Sequence, residues 1–145
     1  MKCLLTAAAA LAAGILIGAA AEKSAVSYID HDTVGLRLAK GGQMAKGANF
    51  AVSGSHRDKP GGVEVHDKET DVMYVVEGQA TLVTGGAMVG GKDTGPNQHL
   101  GTGMEGGETH HLSKGDVVVV PAGTPHWFKE VPDHINYFVV KAIQP

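Results

Sequence analysis

The stretch Gly115-Asp116-Val117-Val118-Val119-Val120-Pro121-Ala122-Gly123-Thr124-Pro125-His126-Trp127-Phe128 decides the reading of the fold. It opens at a turn, runs as a buried strand of valines, reverses at a tight Pro-x-Gly turn and returns as a strand headed by His126. Such a turn fixes where His126 enters the returning strand. Upstream, Gly62-Val63-Glu64-Val65-His66 spaces Glu64 and His66 two residues apart, so a strand turns both to one face while Val63 and Val65 take the other. Asp71 follows the polar turn Asp67-Lys68-Glu69-Thr70 and opens the next strand, where an antiparallel neighbour could bring it beside that pair.

Two imidazoles and two carboxylates converging in one place are the ligand set of a borderline divalent metal. Taken singly, each residue has an ordinary structural role: Glu64 and His66 on a solvated strand face, Asp71 in a turn, His126 as a hydrogen-bonded core imidazole. The metal reading rests on the group, because a site is argued from mutual geometry.

Working outward, the chain has 145 residues, 43% apolar, with 12 Lys and Arg against 15 Asp and Glu, a net charge of -3. That charge gives no footprint for a phosphate backbone, and nucleic acid is not expected as a partner. Twenty-one glycines and only 5% aromatics suit short strands joined by tight turns. Strands are predicted at 26–29, 49–52, 62–66, 71–76, 80–83, 116–120, 126–129 and 135–142, with no sustained helical period anywhere. Residues 40–48 read as a turn of helix or a loop, and 88–105 as a long glycine-rich excursion of underivable conformation. Eight antiparallel strands hide their edges by closing a barrel or pairing into a jelly roll, so the fold class is all-β.

The first 21 residues carry Lys2, a charge-free apolar centre and the small residues Ala19-Ala20-Ala21, the layout of a secretory signal peptide. Cleavage near Ala21 would leave a single domain at 22–145 in the periplasm or outside the cell. Membrane association is expected only if the leader stays uncleaved. The one cysteine, Cys3, would leave with the leader, so any metal must be held by nitrogen and oxygen.

Both segments resemble the diagnostic motifs of the cupin superfamily. The pattern G-x5-P-x-G-x2-H-x3-N falls on Gly115, Pro121, Gly123 and His126, with Glu130 in place of the asparagine. The pattern H-x-H-x4-E-x6-G falls on Glu64, His66, Asp71 and Gly78, with Glu64 replacing the first histidine and Asp71 the glutamate. The resemblance covers about 60–141 and implies a jelly-roll barrel, the double-stranded β-helix. It further implies that Glu64, His66, Asp71 and His126 hold a divalent transition metal such as iron, manganese, nickel or zinc. Asp71, one methylene shorter than glutamate, would reach it directly, through water, or by bonding another ligand.

The superfamily admits metal-dependent oxygenases, isomerases and lyases acting on small oxygenated substrates. It admits equally non-catalytic modules that bind a small ligand or metal, and pairing into homodimers through sheet edges. Alternation from Asp71 makes Met73 a pocket-wall candidate, and alternation from His126 does the same for Phe128 and Glu130. Glu130 could serve as a general base only if it faced the cavity. His56, on the strand before Glu64, could rim the pocket. At most one of His110 and His111 looks inward, and His99 lies in the excursion.

Overall fold

A computed structural model describes residues 25–145; the leader expected at 1–21 lies outside the described residues. One helix, α1 (His31–Lys40), precedes twelve strands: β1 (Gly42–Lys46), β2 (Phe50–Arg57), β3 (Val63–His66), β4 (Glu69–Thr84), β5 (Ala87–Val89), β6 (Lys92–Gly95), β7 (Gln98–Gly101), β8 (Gly103–Glu105), β9 (Glu108–Ser113), β10 (Val117–Val120), β11 (His126–Glu130) and β12 (Ile135–Ile143). The architecture is all-β, a curled antiparallel sheet of the double-stranded β-helix type.

The organising element is β4, sixteen residues long and bent at Gly78, where φ is +78°. Before the bend it pairs with β10 and β12, and β12 continues to β2 and β1. After the bend it pairs with β9 and β11, and β11 leads on to β3, β7 and β6. One strand therefore serves two walls, which face each other across the interior. The corner needs a glycine because a left-handed backbone costs other residues about 1–2 kcal/mol.

Alternation along the strands fills the interior. Met73 and Val75 of β4, Leu82 beyond the bend, Phe128 of β11, and Ile135, Tyr137 and Val139 of β12 form the core with Leu112 and Val120. Leu82, Ile135, Val63 and Val75 are the largest fully buried side chains, each worth about 1.5–3 kcal/mol of burial. The valine strand β10 departs from the sequence expectation, because only alternate residues are covered. Val118 packs against the core and Val120 is buried, but Val117 and Val119 are 61% and 57% exposed on the outer face. A run of four apolar residues does not distinguish a two-sided from a one-sided strand.

Two other expectations are corrected. Residues 26–29 are not a strand; they lead into α1, which the sequence reading did not predict. Its start is written in the chain: Asp30 caps it, accepting from the Thr33 amide at 2.9 Å and from the Thr33 hydroxyl at 2.9 Å. The apolar period is faint because α1 buries no residue. It packs backbone to backbone on β2, where a Cβ on Gly54 would lie 2.6 Å from the Arg37 carbonyl carbon. The segment 40–48, expected as helix or loop, contains β1. The excursion 88–105, whose conformation the sequence left open, carries strands: β5 pairs with β8, while β7 joins the main sheet beside β3.

Candidate metal centre

Strands β3, β4 and β11 bring the four predicted donors to one end of the interior. Glu64 and His66 leave β3 on the same face, as their spacing requires. His126 opens β11 directly opposite Glu64, and Gly123, with φ +78° in the Pro-x-Gly turn, donates its amide to the His66 carbonyl at 2.8 Å. Asp71 lies near the start of β4, paired with Lys141 of β12. His66, Asp71 and His126 are buried and Glu64 is half-buried.

Each imidazole is held through Nδ1. In His126, Nδ1 donates to the Thr124 carbonyl at 3.1 Å, and in His66, Nδ1 donates to the Gln98 side-chain oxygen. These bonds fix the tautomer that leaves both Nε2 atoms as lone-pair donors. His66 Nε2 stands 3.6 Å from Glu64 Oε2 and 3.6 Å from Asp71 Oδ2, and His126 Nε2 is 3.8 Å from the same Asp71 oxygen. Glu64, His66 and His126 also offer ligand atoms within 4.8 Å of one another. Burial, the largest influence on His126, holds its imidazole below the ordinary histidine value and so in the neutral form.

The carboxylates are arranged alike. Glu64 accepts from Arg57 through Oε1 at 2.8 Å and turns Oε2 to His66. Asp71 accepts from Lys141 through Oδ1 at 2.8 Å and turns Oδ2 inward. Lys141 also holds Glu69 at 2.9 Å. Burial works against the Lys141 charge, but its bonds to Asp71 and Glu69 outweigh that and keep it an ammonium. The donors form two overlapping clusters that share His66: Glu64, His66 and His126, and His66, Glu69 and Asp71, with the ligand atoms of each within 4.8 Å of one another. A metal bound at about 2.0–2.2 Å sets neighbouring donors roughly 3–3.5 Å apart, so the three pairs at 3.6–3.8 Å need little contraction to share an ion.

Beside the donors is a cavity of about 140 Å³. Its other wall comes from β2 and β12: Ser55, Arg57, Tyr137 and Lys141, with Met73, Phe128 and Val139 as apolar surface. Arg57 Nε donates to the Tyr137 hydroxyl at 3.1 Å, and the guanidinium lies 4.7 Å over the Phe128 ring. A larger cleft of about 600 Å³ runs along β9 and β10, and none of the four donors lines it.

Met73 and Phe128, predicted as pocket wall, line the cavity, and Glu130 and His56 do not. Glu130 is exposed beyond an irregularity in the β11–β4 register and accepts from the Thr81 hydroxyl at 3.1 Å. That slip defeats the simple alternation from His126. His56 is exposed on the outer face of β2, bonded to Asn136 at 2.7 Å. His110 points inward but bonds Thr84 at 2.9 Å beside the larger cleft, and His111 is exposed. His99 is held between Asp67 and Asp93 at 2.8 and 2.7 Å.

Sequence reasoning missed Gln98, Arg57, Tyr137 and Lys141. A signal existed for two of them: alternation along β12 puts Lys141 and Tyr137 on the face of Ile135 and Val139, an odd place for a lysine unless it has a partner. Gln98 sits opposite His66 in the β3–β7 pairing, a register no local pattern reveals.

The comparisons agree with this architecture. Similar solved structures include the DMSP lyase DddQ from Ruegeria pomeroyi DSS-3, at 15% identity and TM-score 0.47, covering 66% of this chain and 39% of that one. The Cnp3 cupin domain of Schizosaccharomyces pombe matches at 12% identity and TM-score 0.54, covering 72% and 64%. KdgF from Halomonas sp. matches at 17% identity and TM-score 0.52, covering 72% and 80%. This chain spans less than two thirds of the first two, and at such identities the likeness to the latter two is one of fold alone. No curated protein matches the chain. The family model described as Cupin matches residues 50–142, and on that match, together with the β-helix and the two motif segments, the chain belongs to the cupins.

Proposed function

We propose that this is an exported cupin that holds one divalent transition metal between Glu64, His66, Asp71 and His126 and acts on a small oxygenated organic substrate. The observation carrying it is the convergence of two Nε2 lone pairs and two carboxylate oxygens with no donor between them. An assembly of bare acceptors is unfavourable until a cation enters. Iron(II), manganese(II), nickel(II) and zinc(II) all accept such nitrogen and oxygen ligands. When bound, the ion would act as a Lewis acid toward a substrate oxygen or water. The chain's own part is to keep the imidazoles in one tautomer, hold the carboxylates by their outer oxygens and exclude bulk water. Export rests on the composition of residues 1–21, with Lys2, a charge-free apolar centre and Ala19-Ala20-Ala21.

The test is metal titration of chelator-stripped protein by calorimetry, with elemental analysis of protein from its own compartment. One tightly bound divalent ion per chain is expected; failure to bind any of the four ions stoichiometrically would refute the site. Turnover that vanishes with chelation and returns with one metal supports the enzyme. Metal or ligand binding without turnover of any small oxygenated compound assigns the chain to the non-catalytic modules instead.

Gln98 supplies a second check. Gln98→Leu removes the acceptor on His66 Nδ1 and is expected to weaken metal binding about 10–100-fold, the usual effect of losing a ligand's outer hydrogen bond. Chelator competition measures the affinity, and long-range proton–nitrogen NMR reads the loosened His66 tautomer. An unchanged affinity would remove Gln98 from the centre.

A further inference from the structure

The charge balance of the cavity points to the kind of molecule it takes, an inference that rests on the metal reading above. Arg57 and Lys141 match Glu64 and Asp71, and Glu69, clustered with His66 and Asp71, leaves one surplus negative charge. A divalent ion reverses this to one surplus positive charge in a largely buried space. Uncompensated buried charge is costly, so the filled centre favours a single-charged anion.

The two walls differ in kind. Strands β3, β4 and β11 present acceptors, Glu64, His66, Asp71 and His126. The facing strands β2 and β12 present donors. After Arg57 gives Nε to Tyr137 and Nη2 to Glu64, its Nη1 enters neither bond and lies beside Gly61, while Nη2 keeps a second proton. The Tyr137 hydroxyl accepts from Arg57, which leaves its own proton to donate, and the Ser55 hydroxyl lines the same cavity. Stacking on Phe128 and the bonds to Tyr137 and Glu64 hold the Arg57 fork in one orientation, the preorganisation that favours a planar carboxylate. Between the walls lies apolar surface from Met73, Phe128 and Val139. The volume of about 140 Å³ is close to the roughly 150 Å³ of an engineered protein cavity that holds one benzene molecule, so the ligand has only a few carbons.

We infer that the metal-loaded cavity binds a small monocarboxylate, with the carboxylate on Arg57, Tyr137 and Ser55 and the carbon chain against Met73 and Val139.

The experiment uses glycolate and its neutral isostere glycolamide as probes, titrated into zinc-loaded protein whose metal content is measured first. Failure to load zinc or any of the other three ions refutes the metal reading, and this inference with it. With metal in place, glycolate is expected to bind at least tenfold tighter than glycolamide, and tighter than to the metal-free protein. Equal binding of the two probes, or of glycolate with and without metal, overturns the inference.

A carboxylate could also prefer any exposed zinc, and two variants separate that outcome. Arg57→Met keeps an apolar stem over Phe128 and removes the fork, while the double variant Ser55→Ala/Tyr137→Phe leaves every ion pair intact. Both are expected to keep the metal and lose at least tenfold of the preference for glycolate. A preference unchanged in the double variant with metal retained would mean that the ion alone selects the anion, and the assignment to the donor wall fails.

Discussion

Gly78→Ala is expected to destabilise the protein by about 3–5 kcal/mol, lowering the melting temperature by more than roughly 10 °C. Two costs combine. The left-handed backbone at φ +78° penalises any Cβ by about 1–2 kcal/mol. The added methyl would also stand 2.0 Å from the His134 carbonyl oxygen and 3.0 Å from the Ile135 Cα, backbone atoms that no rotamer change can move. The same carbonyl accepts from the Gln79 amide at 3.0 Å, and Ile135 is fully buried, so relief would open both the corner and the core. Gly85→Ala is the control, since its φ is +72° but nothing lies within 4 Å of the added carbon. Denaturant melts of the two variants isolate the clash. Equal losses would show that the bend in β4 is not tight.

The second large effect is at the centre itself. His126→Ala is expected to reduce metal affinity at least about 100-fold, because it removes one of two nitrogen donors and leaves the coordination shell incomplete. Folding should survive, since the side chain borders the cavity beside the main apolar cluster. Elemental analysis reads the metal and circular dichroism the fold; stoichiometric metal in the variant would contradict the proposed ligand set. Glu64→His, by contrast, is expected to change which metal is preferred and to retain binding.

A pH dependence follows with a definite sign. Burial depresses the folded His126 below its ordinary value of 6.5, so the unfolded chain binds more protons around that pH. The metal-free protein therefore loses stability as pH falls through 6.5 and below, and His126→Ala should lose less over the same window.

The barrel was legible because its decisive features are local. Pro121, Gly123 and His126 encode a turn and a return, and the two-residue spacing of Glu64 and His66 encodes a shared face. What stayed hidden was relational. Alternation tells which face a residue takes but not what stands across from it, so Arg57 and Lys141 could not be matched to Glu64 and Asp71 without knowing the β2–β12–β4 register. Glu130 shows the reverse error, where a register irregularity after Phe128 broke the alternation that had placed it inward. Helix α1 escaped notice because its cap was local but its apolar face was not, and Gln98 because the excursion offered no period at all.

The outer oxygens of Glu64 and Asp71, tied to Arg57 and Lys141, bear on the order in which the protein is assembled. Mutual repulsion between the two acidic groups is already largely offset before any ion arrives, with one carboxylate, Glu69, in excess. The polypeptide can thus reach its native shape unaided and recruit its inorganic component afterwards, unlike small zinc modules whose folding waits for the ion. That separates maturation into two steps, folding first and metal loading second.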